Sequence, residues 1–175
     1  FVLTRFPPEP NGYLHIGHAK AIVIDNTYAK MYKGKMLLRF DDTNPLKEQL
    51  EYYDAIRESL NWLGIKPDLE KNSSDDMERG EKVDEQIINS GYAYVCTCQR
   101  DIIKQNRLKG INCSCRSLSN IDHQKRWMKM FDEYKMNEAI LRLKGDMSNL
   151  NTAMRDPTFF RIIDATHPLK GDKYR

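Results

Sequence analysis

The chain has 175 residues, 40% apolar and 30% charged, a balance that excludes a disordered polypeptide and allows one ordinary domain or two small ones. No apolar run approaches the roughly 20 residues that span a bilayer, and nothing near Phe1 reads as a secretory signal, so a cytoplasmic protein with no membrane partner is the expectation; a monomer is expected as well. The net charge of +3 conceals an asymmetry: residues 1–91 carry 12 Lys and Arg against 16 Asp and Glu, whereas residues 92–175 carry 16 against 9. A basic second half fits a polyanionic partner, with a solvated charged face as the alternative.

Phe1 to Phe6 reads as a buried strand, and Pro7-Pro8-Glu9-Pro10 after it cannot be helical. An Asn11-Gly12 reversal follows, and a helix opens on His15-Ile16-Gly17-His18. Positions i and i+3 share one side of a helix, so His15 and His18 stand together at its N-terminus, where unpaired N–H groups and the dipole favour an anion. Gly17 leaves bare backbone against which a flat ring or a sugar can lie. These features describe a site for a phosphate-bearing nucleotide; a buried pair of histidines capping the helix is the alternative. Neither a G-x-G-x-x-G nor a Walker-type loop is present, which argues against a dehydrogenase or a P-loop NTPase.

The apolar pattern from Leu14 to Lys33 is helical, with Gly34 as its stop, and Lys35 to Phe40 reads as a buried strand parallel to the first. The result is a β-α-β unit whose ligand belongs at the carboxyl ends of the strands. Asp41 and Asp42 fall on the same sheet edge as Arg5 and the histidines, either as functional carboxylates or as a dipole-stabilising pair ahead of a helix. Asn44 and Pro45 are placed to cap and begin that helix, which carries Leu46, Leu50, Tyr53, Ile56, Leu60 and Leu63 to a stop at Gly64. A short strand near Glu70 to Asn72, a helix from Asp75 to Ser90 ended by Gly91, and a strand from Tyr92 to Val95 complete the first stretch.

All four cysteines lie in two pairs, Cys96-x-Cys98 and Cys113-x-Cys115, separated by 14 residues that contain a basic helical segment, Asp101 to Lys109, and a turn at Gly110. In a reducing compartment this pattern fits a closed, structural Zn²⁺ site of four thiolates, with free thiols or redox chemistry as the alternatives. Ser119 to Met136 reads as a helix with Ile121, Trp127, Met128, Phe131 and Tyr134 inward. Ala139 to Leu143 and Phe159 to Ile163 read as strands, with a turn at Met154-Arg155-Asp156-Pro157. Arg155 and Arg161 are candidate polyanion contacts, or else surface charges; His123 and His167 receive no role.

The His15-Ile16-Gly17-His18 motif in its β-α-β context, together with Leu38-Arg39-Phe40-Asp41-Asp42-Thr43-Asn44-Pro45, resembles the class I aminoacyl-tRNA synthetases of the glutamyl/glutaminyl group. The turn from Pro7 to Gly12 is similar to the archaeal and eukaryotic branch. The resemblance implies an α/β fold: a Rossmann-like parallel-sheet half-domain at 1–91 and an inserted α+β, zinc-stapled domain at 92–175 that binds the tRNA acceptor end. It implies ATP with Mg²⁺ as cofactor and formation of an aminoacyl-adenylate, with His15 and His18 as catalytic donors to the ATP phosphates and Gly17 packed on the adenosine. Arg5 and Asp41 would bind the amino acid. A buried Arg5 and the paired cysteines favour glutamate; a glutaminyl enzyme, or a glutamyl enzyme charging both tRNAs, is the runner-up. Outside this group stand a zinc-stapled tRNA-binding module without catalysis and an adenylyltransferase. The family's K-M-S-K-S-like loop is missing, Lys135-Met136-Asn137 being no substitute, so the chain alone is expected to be inactive.

Overall fold

The computed structural model describes residues 1–173. The chain clusters into two compact units, Phe1–Met77 joined by the described residues from Ala165 onward, and Glu78–Asp164. The cut expected after Gly91 therefore falls after Met77. The physical reason is local: Ile88 is buried in one core with Ala93, Val95 and Trp127.

In the first unit, β1 (Leu3–Phe6), α1 (Ile16–Met31), β2 (Lys35–Phe40), α2 (Leu50–Trp62) and β3 (Leu69–Asn72) form a parallel sheet in the order β1-β2-β3 with its connecting helices. Met36, Leu38 and Phe40 alternate into the core of β2. There they pack with Phe6, Ile22, Tyr53, Ile56 and Leu60. The β-α-β unit is as expected, but β1 is not a buried strand: among the described residues it pairs only with β2 and leaves Leu3 50% exposed. Gly34 permits close approach rather than a left-handed cap. A Cβ there would lie 2.2 Å from the Val2 carbonyl oxygen, and the positive φ of 50° belongs to Lys33.

Helix α2 begins five residues later than Asn44 and Pro45 led us to expect, with Gln49 as its N-cap. The Asn44 N–H donates to Glu48 Oε1 at 2.6 Å, and Gln49 N–H donates to the Pro10 carbonyl at 3.1 Å. These bonds hold the intervening residues in a turn, and Leu46 and Leu50 stay outside the core. A short 3-10 segment, Ser73–Asp76, precedes the next helix.

The second unit contains α3 (Met77–Asn89), β4 (Ala93–Cys96), α4 (Arg100–Lys109), α5 (Asn120–Asp132), β5 (Ile140–Leu143) and β6 (Thr158–Arg161). Its antiparallel sheet runs β4-β5-β6, with Tyr94 opposite Arg142. Ala93, Val95 and Leu141 cluster with Ile88, Trp127 and Met130, whereas Tyr94 and Cys96 cluster with Cys113 and Cys115. The inward stripe of α5 is His123, Trp127 and Met130; Ile121 and Met128 are 63% and 64% exposed. The helix starts where Ser119 accepts the Asp122 N–H and ends at Asp132, which sets a phase the apolar count alone missed. The turn at Asp156 is held from inside: its buried carboxylate accepts from Tyr94 Oη and Gly145 N–H at 2.8 Å each, and Arg142 Nε donates to its carbonyl. No helix of the described residues is long and apolar enough to cross a membrane.

Candidate nucleotide and metal sites

The two histidines cap α1 on each other. The Gly17 N–H donates to His15 Nδ1, and the His15 N–H donates to His18 Nδ1, both at 3.1 Å, a reciprocal capping box with imidazoles in place of the usual hydroxyl and carboxylate. A nitrogen that accepts an N–H bond carries no hydrogen, so the ring hydrogen of each neutral imidazole sits on Nε2. The helix end thus presents two Nε2–H donors from rings whose centroids are 3.9 Å apart, while its first-turn amides are mostly engaged, Gly17 N–H on His15 Nδ1 and the His18 and Ala19 N–H groups on the His15 carbonyl. His15 is exposed and His18 half-buried, so the alternative of a buried capping pair is met in the capping and not in the burial. Gly17 leaves room for the capping ring: a Cβ there would lie 2.9 Å from His15 Cε1, so the exposed imidazole would have to shift.

Burial, and then the neighbouring His15, lower the pKa of His18 below its ordinary 6.5. The capping bond needs the neutral ring, so its contribution is present above pH 6.5 and is lost as the pH falls through the lower folded value. An NMR titration is expected to give His18 a midpoint below 6.5; a midpoint above it would contradict the lowering by burial and by His15.

A cavity of about 600 Å³ brings Arg5 and His18 together with the turn residues Pro7, Pro8, Asn11 and Gly12. Arg5 is exposed rather than buried, because β1 ends the described sheet. Asp25, which the sequence reading passed over, lines the same cavity, and burial raises its carboxyl pKa. His15 lines a separate groove between the start of α1 and α2, with Ile16 and Trp62. Asp41 is exposed at the end of β2 and lies outside the lining of the Arg5 cavity, although its N–H donates to Pro8, which lines it, at 2.8 Å.

Asp42 is not a second exposed carboxylate. It is fully buried and accepts from Ser74 N–H at 2.9 Å, Ser74 Oγ at 2.7 Å and Tyr53 Oη at 3.2 Å. Burial first, and then Asp42, push the Tyr53 phenol well above its ordinary range. His167, unassigned from sequence, is buried against the Asp42 carbonyl at 2.9 Å. Those two residues are 125 positions apart, and no local pattern joins them.

In the second unit the four cysteine sulfurs lie within 4.8 Å of one another, with Cys96–Cys113 at 3.4 Å, Cys98–Cys113 at 3.2 Å and Cys98–Cys115 at 3.8 Å. A tetrahedral zinc–thiolate centre with bonds of about 2.3 Å sets its sulfurs about 3.8 Å apart, so the cluster fits that ion. Burial raises the pKa of Cys96 and takes that of Cys98 up to about 11. Burial opposes ionisation of Cys115 too, yet hydrogen bonds from the Thr97 N–H and from Arg126 bring it down to about 6. Four thiols packed this closely need a cation before all can ionise.

Beside the cysteines a cavity of about 520 Å³ is lined by Arg100, Lys104, Arg107 and Arg161. Arg155 is employed differently: Nε donates to the Asn149 carbonyl at 2.6 Å and Nη1 to the Arg107 and Leu108 carbonyls, tying down the end of α4. This guanidinium is spent on backbone, whereas Arg161 is exposed at the end of β6.

Glutamate–tRNA ligases of Nitrosopumilus maritimus and Cenarchaeum symbiosum are 54% and 51% identical over 174 residues, 99% of this chain and 31% of each relative. The Pyrococcus abyssi glutamate–tRNA ligase is 46% identical over 178 residues. The chain therefore spans about a third of the length of these relatives. A crystal structure of a glutamate tRNA ligase from Elizabethkingia meningosepticum in complex with its amino acid has the same fold, with a TM-score of 0.63 at 24% identity, over 81% of this chain and 32% of that one. The family described as tRNA synthetases class I (E and Q), catalytic domain, matches residues 1–175. A histidine pair capping the helix that follows the first strand, on a β-α-β sheet, is thus found in a sequence matched from end to end, and the chain belongs to the class I glutamate and glutamine tRNA synthetases through their catalytic domain.

Proposed function

We propose that this chain is part of a protein that attaches glutamate to tRNA at the expense of ATP, through a glutamyl-adenylate. The observation that carries the reading is the cavity shared by Arg5 and His18, which sets a cation for a carboxylate beside an imidazole donor at a helix N-terminus. Glutamate, rather than glutamine, is supported by archaeal glutamate–tRNA ligases at 41–54% identity. The exposure of Arg5 removes the argument that its burial selects the charged substrate.

In this reading the Nε2–H groups of His15 and His18 hold the phosphates of Mg²⁺-bound ATP where charge grows in the transition state, and the dipole of α1 adds to the same field. ATP would supply the adenylyl group: the glutamate α-carboxylate bonds to its α-phosphorus as the α–β phosphoanhydride bond breaks and pyrophosphate leaves. Arg5 binds the substrate side-chain carboxylate, Asp41 its ammonium, and Gly17 leaves room for the adenosine. Cys96, Cys98, Cys113 and Cys115 hold Zn²⁺, which staples the basic second unit without entering the chemistry. Arg161, with Arg100 and Lys104, offers cations to the acceptor end of tRNA; Arg155 supports that surface rather than touching it. The protein works as a cytoplasmic monomer.

The test is glutamate-dependent ATP–pyrophosphate exchange in the presence of tRNA. A protein completed to the length of the relatives is expected to catalyse it, and residues 1–175 alone are not, since the sequence holds no K-M-S-K-S-like loop. Exchange with glutamine and not glutamate would overturn the substrate; exchange by residues 1–175 would overturn the incomplete site.

A further inference from the structure

His167 is 4% exposed, and both of its ring nitrogens are engaged. Nδ1 accepts from Leu169 N–H at 3.1 Å and Lys170 N–H at 3.2 Å, so the ring hydrogen is on Nε2. That nitrogen lies 2.9 Å from the Asp42 carbonyl, which can only accept; Asp42 Oδ2 and Glu48 Oε2 are farther, at 3.6 and 3.8 Å. The segment carrying the ring is itself closed, with reciprocal 2.9 Å bonds between the His167 and Gly171 backbones, and Lys170 Nζ reaches Asp75 Oδ1 at 2.6 Å.

The consequence falls on Asp41. Its N–H is anchored on Pro8, and the carbonyl of the next residue is anchored by His167. The Asp42 carboxylate grips Ser74 through both N–H and Oγ, and this sets the neighbouring Ser73 with Oγ 3.3 Å from Asp41 Oδ1. Asp41 is thereby held at its amide, at the following carbonyl and at its carboxylate.

We propose that His167 is a positioning residue for amino-acid binding: through Asp42 and the Ser73–Ser74 pair it fixes the direction of the Asp41 carboxylate. The inference rests on the reading of Asp41 as the ammonium ligand. Displacing a substrate-binding group by about 1 Å costs up to about 100-fold, so a loosened Asp41 is felt in glutamate binding and not in ATP binding.

The experiment measures ATP–pyrophosphate exchange in the protein completed to the length of its relatives. His167→Ala is expected to raise the KM for glutamate about tenfold and leave the KM for ATP within about twofold. His167→Gln, whose amide N–H replaces the Nε2 donor, recovers most of the loss. Ser73→Ala leaves the imidazole untouched and raises the same KM by about threefold. Nitrogen-15 shifts of the 175-residue chain are expected to show His167 with hydrogen on Nε2 and bare Nδ1.

Equal rises in both KM values, an unaltered glutamate KM in Ser73→Ala, or the opposite tautomer would each overturn the proposal. If His167→Ala fails to fold, Ser73→Ala and the tautomer decide. A parent protein that performs no exchange overturns the functional reading and this inference with it; an active parent whose variants keep their glutamate KM overturns this inference alone.

Discussion

Replacing Cys113 and Cys115 together with serine is expected to abolish metal binding and to loosen the second unit while the parallel sheet of the first keeps its protection. The cluster of Tyr94, Cys96, Cys113 and Cys115, flanked by Cys98, Ile103 and Ile140, is too small to hold the knuckles by burial alone. A structural zinc contributes about 10–16 kcal/mol of apparent binding free energy at neutral pH, most of it lost when two of four thiolates become poor ligands. Serine hydroxyls left unpaired where Cys113 and Cys115 are now buried add a cost of about 1–3 kcal/mol each. Elemental analysis is expected to find about one zinc per parent chain and none in the variant. Amide exchange is expected to quicken in β4, β5 and residues 113–118, but not in β2. A parent protein without zinc would end the metal assignment.

His18→Ala carries the largest expected effect on the chemistry. The substitution removes one of two Nε2–H donors at the α1 N-terminus and also frees the His15 N–H from its cap. Loss of a donor aimed at developing charge costs about 100-fold or more in rate, and loss of a cap costs about 1 kcal/mol in stability. In a protein completed to the length of the relatives, adenylate formation is expected to fall about 100-fold while tRNA affinity is unchanged. The separation follows from placement: the basic groups proposed for tRNA, Arg100, Lys104 and Arg161, belong to the second unit, and His18 to the first. An unchanged rate would remove His18 from the mechanism.

The elements legible in the sequence were those whose cause is local. A short apolar run placed β2 at its observed bounds, and the spacing of Tyr53, Ile56 and Leu60 identified the buried face of α2. The start of α2 was not legible. Asn44 and Pro45 satisfy every local rule for a helix N-terminus, but Glu48 reaches back to the Asn44 amide and delays the helix to Leu50. The face of α5 shifted for a related reason, because buried His123 takes a place that an apolar count gives to Ile121. Arg155 and Arg161 look alike in sequence; only the carbonyls of Asn149, Arg107 and Leu108 around Arg155 separate a clamp from an available cation.

From the sequence alone came the β-α-β unit, the pairing of His15 with His18, and the grouping of Cys96, Cys98, Cys113 and Cys115, since each depends on residues that helix periodicity or short spacing brings together. Only the tertiary structure decided that the histidines cap one another through Nδ1, that Arg5 is exposed, and that Asp42 is buried beneath Ser74, Tyr53 and His167. The physical reason is the desolvation of polar groups: a buried carboxylate or imidazole must find its partners wherever the folded chain supplies them, and for His167 and Asp42 that partner lies 125 residues away.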